Sequence, residues 1–122
     1  MPAWTVLRLP EFDEWFESLD DRGRKAMDAP IQALAEIGPT LGRPYVDTVY
    51  DSEHSNMKEL RETNGTLRAF FAFDPKRRAI LLIGGDKSGN KKFYTQMIRK
   101  ADKLFSDHLT ECEAEEKGSK KS

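Results

Sequence analysis

Arginine, lysine and tyrosine carry the usable chemistry of this chain. Arg61, Arg68, Lys58, Lys87, Lys91, Lys92 and Tyr94 lie between Lys58 and Lys103, a block with 12 Lys and Arg against 5 Asp and Glu. A guanidinium stays charged and offers a planar fork of donors, which suits a phosphate held through two oxygens. A lysine is a point charge, and it can act as a base only if its pKa falls; nearby cations push it that way. Tyr94 can stack on a base, donate a proton or simply pack the start of a helix. Residues 1–57 carry 5 basic against 11 acidic side chains, and residues 104–122 carry 3 against 5. The net charge of −1 therefore hides a basic block beside an acidic one. Such segregation is an electrostatic footprint for phosphate or nucleic acid. On pattern alone, a merely solvated surface fits equally well.

Other chemistries have weaker support. The two histidines, His54 and His108, stand far apart in sequence, and no HxxxH or CxxC pattern suggests a metal site. His54 reads as a loop surface residue, and His108 as a helix-dipole partner at a helix C-terminus. The single cysteine, Cys112, falls in a polar segment without a ligand partner. No glycine pattern has Walker or dinucleotide spacing. Neither a metal nor a cofactor is expected. At 122 residues the chain suits one domain able to bury a core without staples. No apolar run reaches the roughly 18 residues of a membrane helix. The N-terminal segment has acids where a signal peptide is apolar, so a cytoplasmic protein is expected.

The elements that must position these residues can be read from periodicity. Trp4–Leu9 reads as a strand closed by Pro10. Phe12, Trp15, Phe16 and Leu19 follow helical spacing, and a second helix fits Asp21–Ile37, with Pro30 expected to kink or interrupt it. Gly38-Pro39 is a stop, and residues 39–55 read as a long connection. Strands are expected at Met57–Arg61, Leu67–Phe73 and Arg78–Ile83, the first two joined through Asn64-Gly65. Gly84-Gly85 should end the third. A last helix should run from about Lys91 to Leu109, leaving residues 110–122 as a disordered polar tail. The fold class is α+β: a small antiparallel twisted sheet with two N-terminal helices and one C-terminal helix. Strand alternation sets Arg68 with Phe70 and Ala72 on one face, and Leu67, Ala69, Phe71 and Phe73 on the other.

Several phrases resemble a known family. They are Gly38-Pro39-Thr40-Leu41-Gly42-Arg43-Pro44, Met57-Lys58-Glu59-Leu60-Arg61, Gly65-Thr66-Leu67-Arg68-Ala69-Phe70-Phe71-Ala72-Phe73, and Leu81-Leu82-Ile83-Gly84-Gly85-Asp86-Lys87, followed by a helix containing Ala101-Asp102. Together they resemble the RelE/ParE superfamily, most of all the HigB-type, phage-derived toxins of type II toxin–antitoxin modules. The resemblance spans about residues 4–109, the expected toxin domain. It implies a RelE-like fold, ribosome-dependent endoribonuclease action on mRNA, and a HigA-type helix-turn-helix antitoxin through which operator DNA is contacted only indirectly. It matches family arginines to Arg61 and Arg68 and a basic position to Lys87, with Lys91 and Lys92 standing in for a displaced lysine pair. The low net charge departs from the strongly basic family norm.

On that resemblance, RNA supplies its own nucleophile, the 2′-hydroxyl, and no metal is needed. Arg61 and Arg68 would stabilise the pentacoordinate phosphorus, Lys87 or Lys91 would move protons, and Lys58, Lys92 and Tyr94 would bind RNA. Two alternatives stay open at the level of sequence. ParE relatives inhibit DNA gyrase and cut nothing, and a non-catalytic module would bind nucleic acid or antitoxin alone.

Overall fold

The computed structural model describes residues 3–120, with side chains described through Lys117. Strand β1 (Val6–Arg8) leads into helix α1 (Pro10–Ser18), opened by its proline at the first helical position. Asp20 then caps α2 (Asp21–Ile37), its carboxylate accepting from the Gly23 N–H at 2.8 Å. Helix α2 runs unbroken through the buried Pro30, where an interruption was expected. It stops at Gly38, whose φ of 78° a residue with a side chain would resist. A short 3-10 turn (Gly38–Thr40) and a strand that periodicity did not signal, β2 (Val46–Thr48), fill the expected connection. Strands β3 (Lys58–Arg61), β4 (Leu67–Phe73) and β5 (Ala79–Asp86) follow, then helix α3 (Phe93–Lys120).

The sheet order is β1-β5-β4-β3-β2. All pairs are antiparallel except β1 with β5, which is parallel. The sheet is therefore mixed rather than purely antiparallel. The first strand needs a parallel partner because α1 and α2 carry the chain away before the β3–β4–β5 meander begins.

Helices cover both faces. Phe12, Phe16, Met27 and Leu34 of α1 and α2 pack on Leu60, Ala69, Phe71 and Leu81. Phe93, Met97, Ala101 and Phe105 of α3 pack on Phe70, Ala72, Ile80 and Leu82. Burial on two sides explains why β4 and β5 read as nearly continuous apolar runs. Arg68 shares its face with Phe70 and Ala72, as alternation requires.

Two expectations fail, each because of packing. Gly84-Gly85 lies inside β5 rather than ending it. A Cβ on Gly84 would stand 2.2 Å from the Trp15 ring, and one on Gly85 would stand 2.8 Å from the Phe93 ring. The glycines are where an aromatic from each layer presses on the strand, so they mark close approach and not a stop. Likewise α3 does not end near Leu109 but continues to Lys120, because Leu109 and Cys112 still face the protein. The expected disordered tail is thus helical through residue 120; residues 121–122 lie outside the described residues.

Substituting Gly84→Ala forces Trp15 off the strand. Overpacking of this kind should lower stability by about 1–3 kcal/mol, measured as a reduced urea midpoint at unchanged slope.

Candidate active site

Pairing of β3 with β4 sets Arg61 directly opposite Arg68. Like charges in that relation repel. Carboxylates on the same face answer them: Glu59, two residues before Arg61, and Asp47 of β2, directly opposite Glu59. Glu59 Oε1 lies 3.7 Å from Arg61 Nε and 4.0 Å from Arg68 Nε. Asp47 Oδ2 lies 3.6 Å from Arg61 Nη1 and accepts from Arg43 Nη2 at 2.7 Å. Three guanidinium groups thus share two carboxylates, leaving one positive charge uncancelled.

The two central arginines differ in access. Arg68 is 3% exposed and spends Nη1 on the carbonyls of Gly65 (3.0 Å) and Leu67 (2.8 Å), bracing the β3–β4 turn. Arg61 is 28% exposed and lines a cleft of about 230 Å³ with Arg43, Pro44, Thr63 and Arg68. Arg61 therefore presents charge outward, and Arg68 holds the turn and faces Glu59. Arg68 Nε and Glu59 Oε2 are both buried without a hydrogen-bond partner among the described residues. Unpaired buried polar atoms are costly and concentrate where function requires them.

Tyr94 reaches the same carboxylate from the first turn of α3, its hydroxyl donating to Glu59 Oε1 at 3.4 Å. Its ring meets Phe70 and Phe93 edge-on. Partial burial, then the negative charge of Glu59, push the Tyr94 phenol above its ordinary value of 10.0. Asp47 is held below its usual range: burial raises it, but the Thr48 N–H and the Arg43 and Arg61 guanidiniums outweigh that. Glu59 and Tyr94 wall one cleft beside the exposed Tyr50. Tyr94 also borders a larger one, about 600 Å³, which follows α3 past Arg99 to Asp102. That cleft is larger but lacks the paired arginines, so the smaller clefts around Glu59 hold the better chemistry.

The lysines are dispersed. Lys58 lies on the opposite sheet face, its Nζ donating to the Pro39 carbonyl at 3.3 Å, so the fold does not bring it to the arginines. Lys87 follows β5, its N–H donating to the Thr66 carbonyl at 3.0 Å, which puts its backbone at the rim beside the Arg68 turn. Asp86 secures this rim by accepting from Thr66 Oγ1 at 2.6 Å and from the Ser88 N–H at 2.9 Å. Lys91 and Lys92 are exposed in the turn before α3, which begins at Phe93, two residues after the expected start at Lys91.

Reading by residue type missed Glu59, Asp47 and Tyr50. Glu59 had a signal: it shares the strand parity of Arg61. Asp47 and Tyr50 fell in the segment read as a connection. His54 is half-buried rather than a surface residue: its Nε2 lies 2.9 Å from Ser106 Oγ and its ring meets Phe105 edge-on. Asp102 clamps the loop before it, accepting from the Ser52 hydroxyl and the Glu53 N–H.

His108 and Cys112 also depart from expectation. Far from ending a helix, His108 sits within α3 with Nε2 2.8 Å from Asp74 Oδ2. Cys112 is buried beside it, Sγ 3.4 Å from the same nitrogen. Arg78 donates to Asp74 Oδ2 from Nη2 at 2.8 Å and from Nε at 3.0 Å. Burial alone would raise Asp74, but the bonds from Arg78 and His108 outweigh it and hold the carboxyl at about 2. Burial, with the Asp74 charge, pushes the Cys112 thiol up.

The shift of Tyr94 is directly observable. In a spectrophotometric alkaline titration, Tyr94 should contribute a phase above the ordinary phenol range, and Tyr94→Phe should remove that phase.

The family model described as phage-derived protein Gp49-like matches residues 14–106. The "Putative toxin HigB3" of Mycobacterium tuberculosis is 48% identical over 105 residues, covering 85% of this chain and 92% of that protein. The "Putative toxin HigB2" of the same organism is 41% identical over 115 residues, covering 91% of this chain and 57% of the relative. Among solved structures, the toxin–antitoxin complex RelBE2 from Mycobacterium tuberculosis superposes with a TM-score of 0.52 at 15% identity, over 70% of this chain and 99% of that one; this likeness concerns the fold. The extent of the sequence matches shows the family, and the fold is RelE-like: the chain belongs to the phage-derived Gp49-like family and groups with the HigB toxins.

Proposed function

We propose that this toxin is a metal-independent endoribonuclease that cuts mRNA on the ribosome and so stops translation. The observation that carries the proposal is the buried Glu59 carboxylate, with one oxygen shared among Arg61, Arg68 and Tyr94 and the other unpartnered.

Cleavage of RNA needs a base for the 2′-hydroxyl, positive charge at phosphorus and an acid for the leaving 5′-oxygen. Glu59 Oε2 is the base in this reading, replacing the lysines expected from sequence. It takes the 2′-hydroxyl proton, O2′ bonds to phosphorus, and the P–O5′ bond breaks. The products are a 2′,3′-cyclic phosphate and a 5′-hydroxyl. Arg61 binds the phosphate and stabilises its added charge. Arg68 is a positioning residue, holding the turn and facing Glu59. The Tyr94 phenol can donate the last proton; Lys87 at the rim and Lys91 in the turn before α3 are the other donors. Tyr50 and Tyr94 offer faces on which unstacked bases can stack, and Lys92 adds charge near that path. Lys58, on the far face, takes no part in the chemistry. No histidine assists, so alignment of the message by the ribosome supplies much of the rate.

Neutralisation by a small antitoxin of HigA type is part of the proposal; the likeness to a chain of the RelBE2 toxin–antitoxin complex supports a protein partner. The described residues contain no helix long and apolar enough to cross a membrane. A cytoplasmic site of action is part of the proposal.

Induction of wild type and Arg61→Ala in bacteria, with primer extension across an abundant message, tests it. Wild type should arrest growth and create new mRNA 5′-ends. Arg61→Ala should lose about 10²–10³-fold in cleavage, the usual cost of removing one transition-state donor. Arrest with intact message, together with inhibition of gyrase supercoiling by purified protein, would replace this reading with a ParE-like one. Soluble protein without arrest would leave a binding module.

A further inference from the structure

Asp74, His108 and Cys112 offer one donor atom each, all within 4.8 Å of one another. His108 and Cys112 are four residues apart on one face of α3, and Asp74 comes from the β4–β5 turn. Sγ lies 3.4 Å from His108 Nε2 and 3.7 Å from Asp74 Oδ2, and Nε2 lies 2.8 Å from Oδ2. A tetrahedral zinc ion with ordinary bond lengths sets such donors about 3.3–3.6 Å apart. Only the nitrogen–oxygen pair must open, by about half an ångström on the same geometry. A Cys-His-Asp nucleophile is a poorer explanation. That relay needs thiol and carboxylate on different ring nitrogens, whereas here both face Nε2.

We propose that Asp74, His108 and Cys112 bind a thiophilic divalent cation, zinc above all, at a structural site that staples the C-terminal part of α3 to the β4–β5 turn. Arg78 already places a cation against this nest, on Asp74 Oδ2 and 3.7 Å from Sγ. Its side chain is 25% exposed, so it can swing to solvent as the ion enters. His108 and Cys112 border separate surface clefts, which supply paths inward. On binding, the Cys112 thiol proton passes to solvent and the S–metal bond forms. Asp74 Oδ1 keeps the Arg78 N–H at 2.9 Å, a bond that orients the carboxylate for the ion. The site lies about 20 Å along α3 from Tyr94, counting 1.5 Å per residue. It is therefore independent of the nuclease reading.

Reduced, metal-free protein titrated with Co²⁺ should gain a near-ultraviolet thiolate-to-cobalt band that saturates at one equivalent and is displaced by Zn²⁺. Cys112→Ser should abolish the band, and His108→Ala should weaken binding at least tenfold. Cys112 is the only cysteine, so its reaction with a disulfide reagent reports the site in unmodified protein. One equivalent of Zn²⁺ should slow that reaction at least tenfold and raise the unfolding temperature. Absence of the band with the thiol titrating as free, or an unchanged thiol reaction rate with zinc, overturns the proposal.

Discussion

Two arginines opposed across a strand pair set the terms for the rest of the molecule. Arg61 and Arg68 would repel in isolation, and an open β3–β4 pair could relieve that by slipping. The fold instead brings in counter-charge, with Glu59 on the same face and Asp47 from the neighbouring β2. The short strand β2 matters for this reason: without it Asp47 would not reach Arg61, and Arg43 would lose its partner. What results is a grid of alternating charge with positive excess and a carboxylate that is close to three donors but saturated by none.

That grid needs a rigid floor, and the helices on both faces provide one. Trp15 from one layer and Phe93 from the other close on the paired glycines of β5. Phe93 is the residue before Tyr94, so the packing that fixes α3 on the sheet also sets the phenol over Glu59. Arg68 serves architecture and electrostatics together, because the guanidinium that faces Glu59 also holds the Gly65 and Leu67 carbonyls. Few of these contacts can change without moving Tyr94, Glu59 or Arg61.

Much of the scaffold was legible because periodicity reports burial. The boundaries of α2 and β4 followed from apolar spacing, and the face of Arg68 followed from alternation. The site was only half legible. Arg61 and Arg68 stood out by residue type and resemblance, but the carboxylate that faces both is Glu59, whose place beside them depends on cross-strand register. Asp47 and Tyr50 lay in a segment whose three-residue strand is too short to leave a period-two signature. Lysines attracted weight through charge, yet charge on a strand says nothing of which face it occupies, and Lys58 proved to be on the far one. Gly84-Gly85 showed the reverse problem: glycine as punctuation and glycine as close approach look alike until the rings above and below are known. The His108–Cys112 spacing of four residues was visible, but it had meaning only once α3 was seen to continue past Leu109.

The central claim is that Glu59 is the base for the 2′-hydroxyl, held by Arg61 and Arg68. Single-turnover cleavage of ribosome-bound mRNA by wild type and Glu59→Gln tests it most directly, with ribosome binding and product ends measured alongside. Glu59→Gln is nearly isosteric and should bind ribosomes as wild type does. It should cut about 10²–10⁴-fold more slowly, the usual span for general-base catalysis, and wild-type products should carry 2′,3′-cyclic phosphate ends. Cleavage by Glu59→Gln at the wild-type rate would contradict the account and return the base to Lys87 or Lys91.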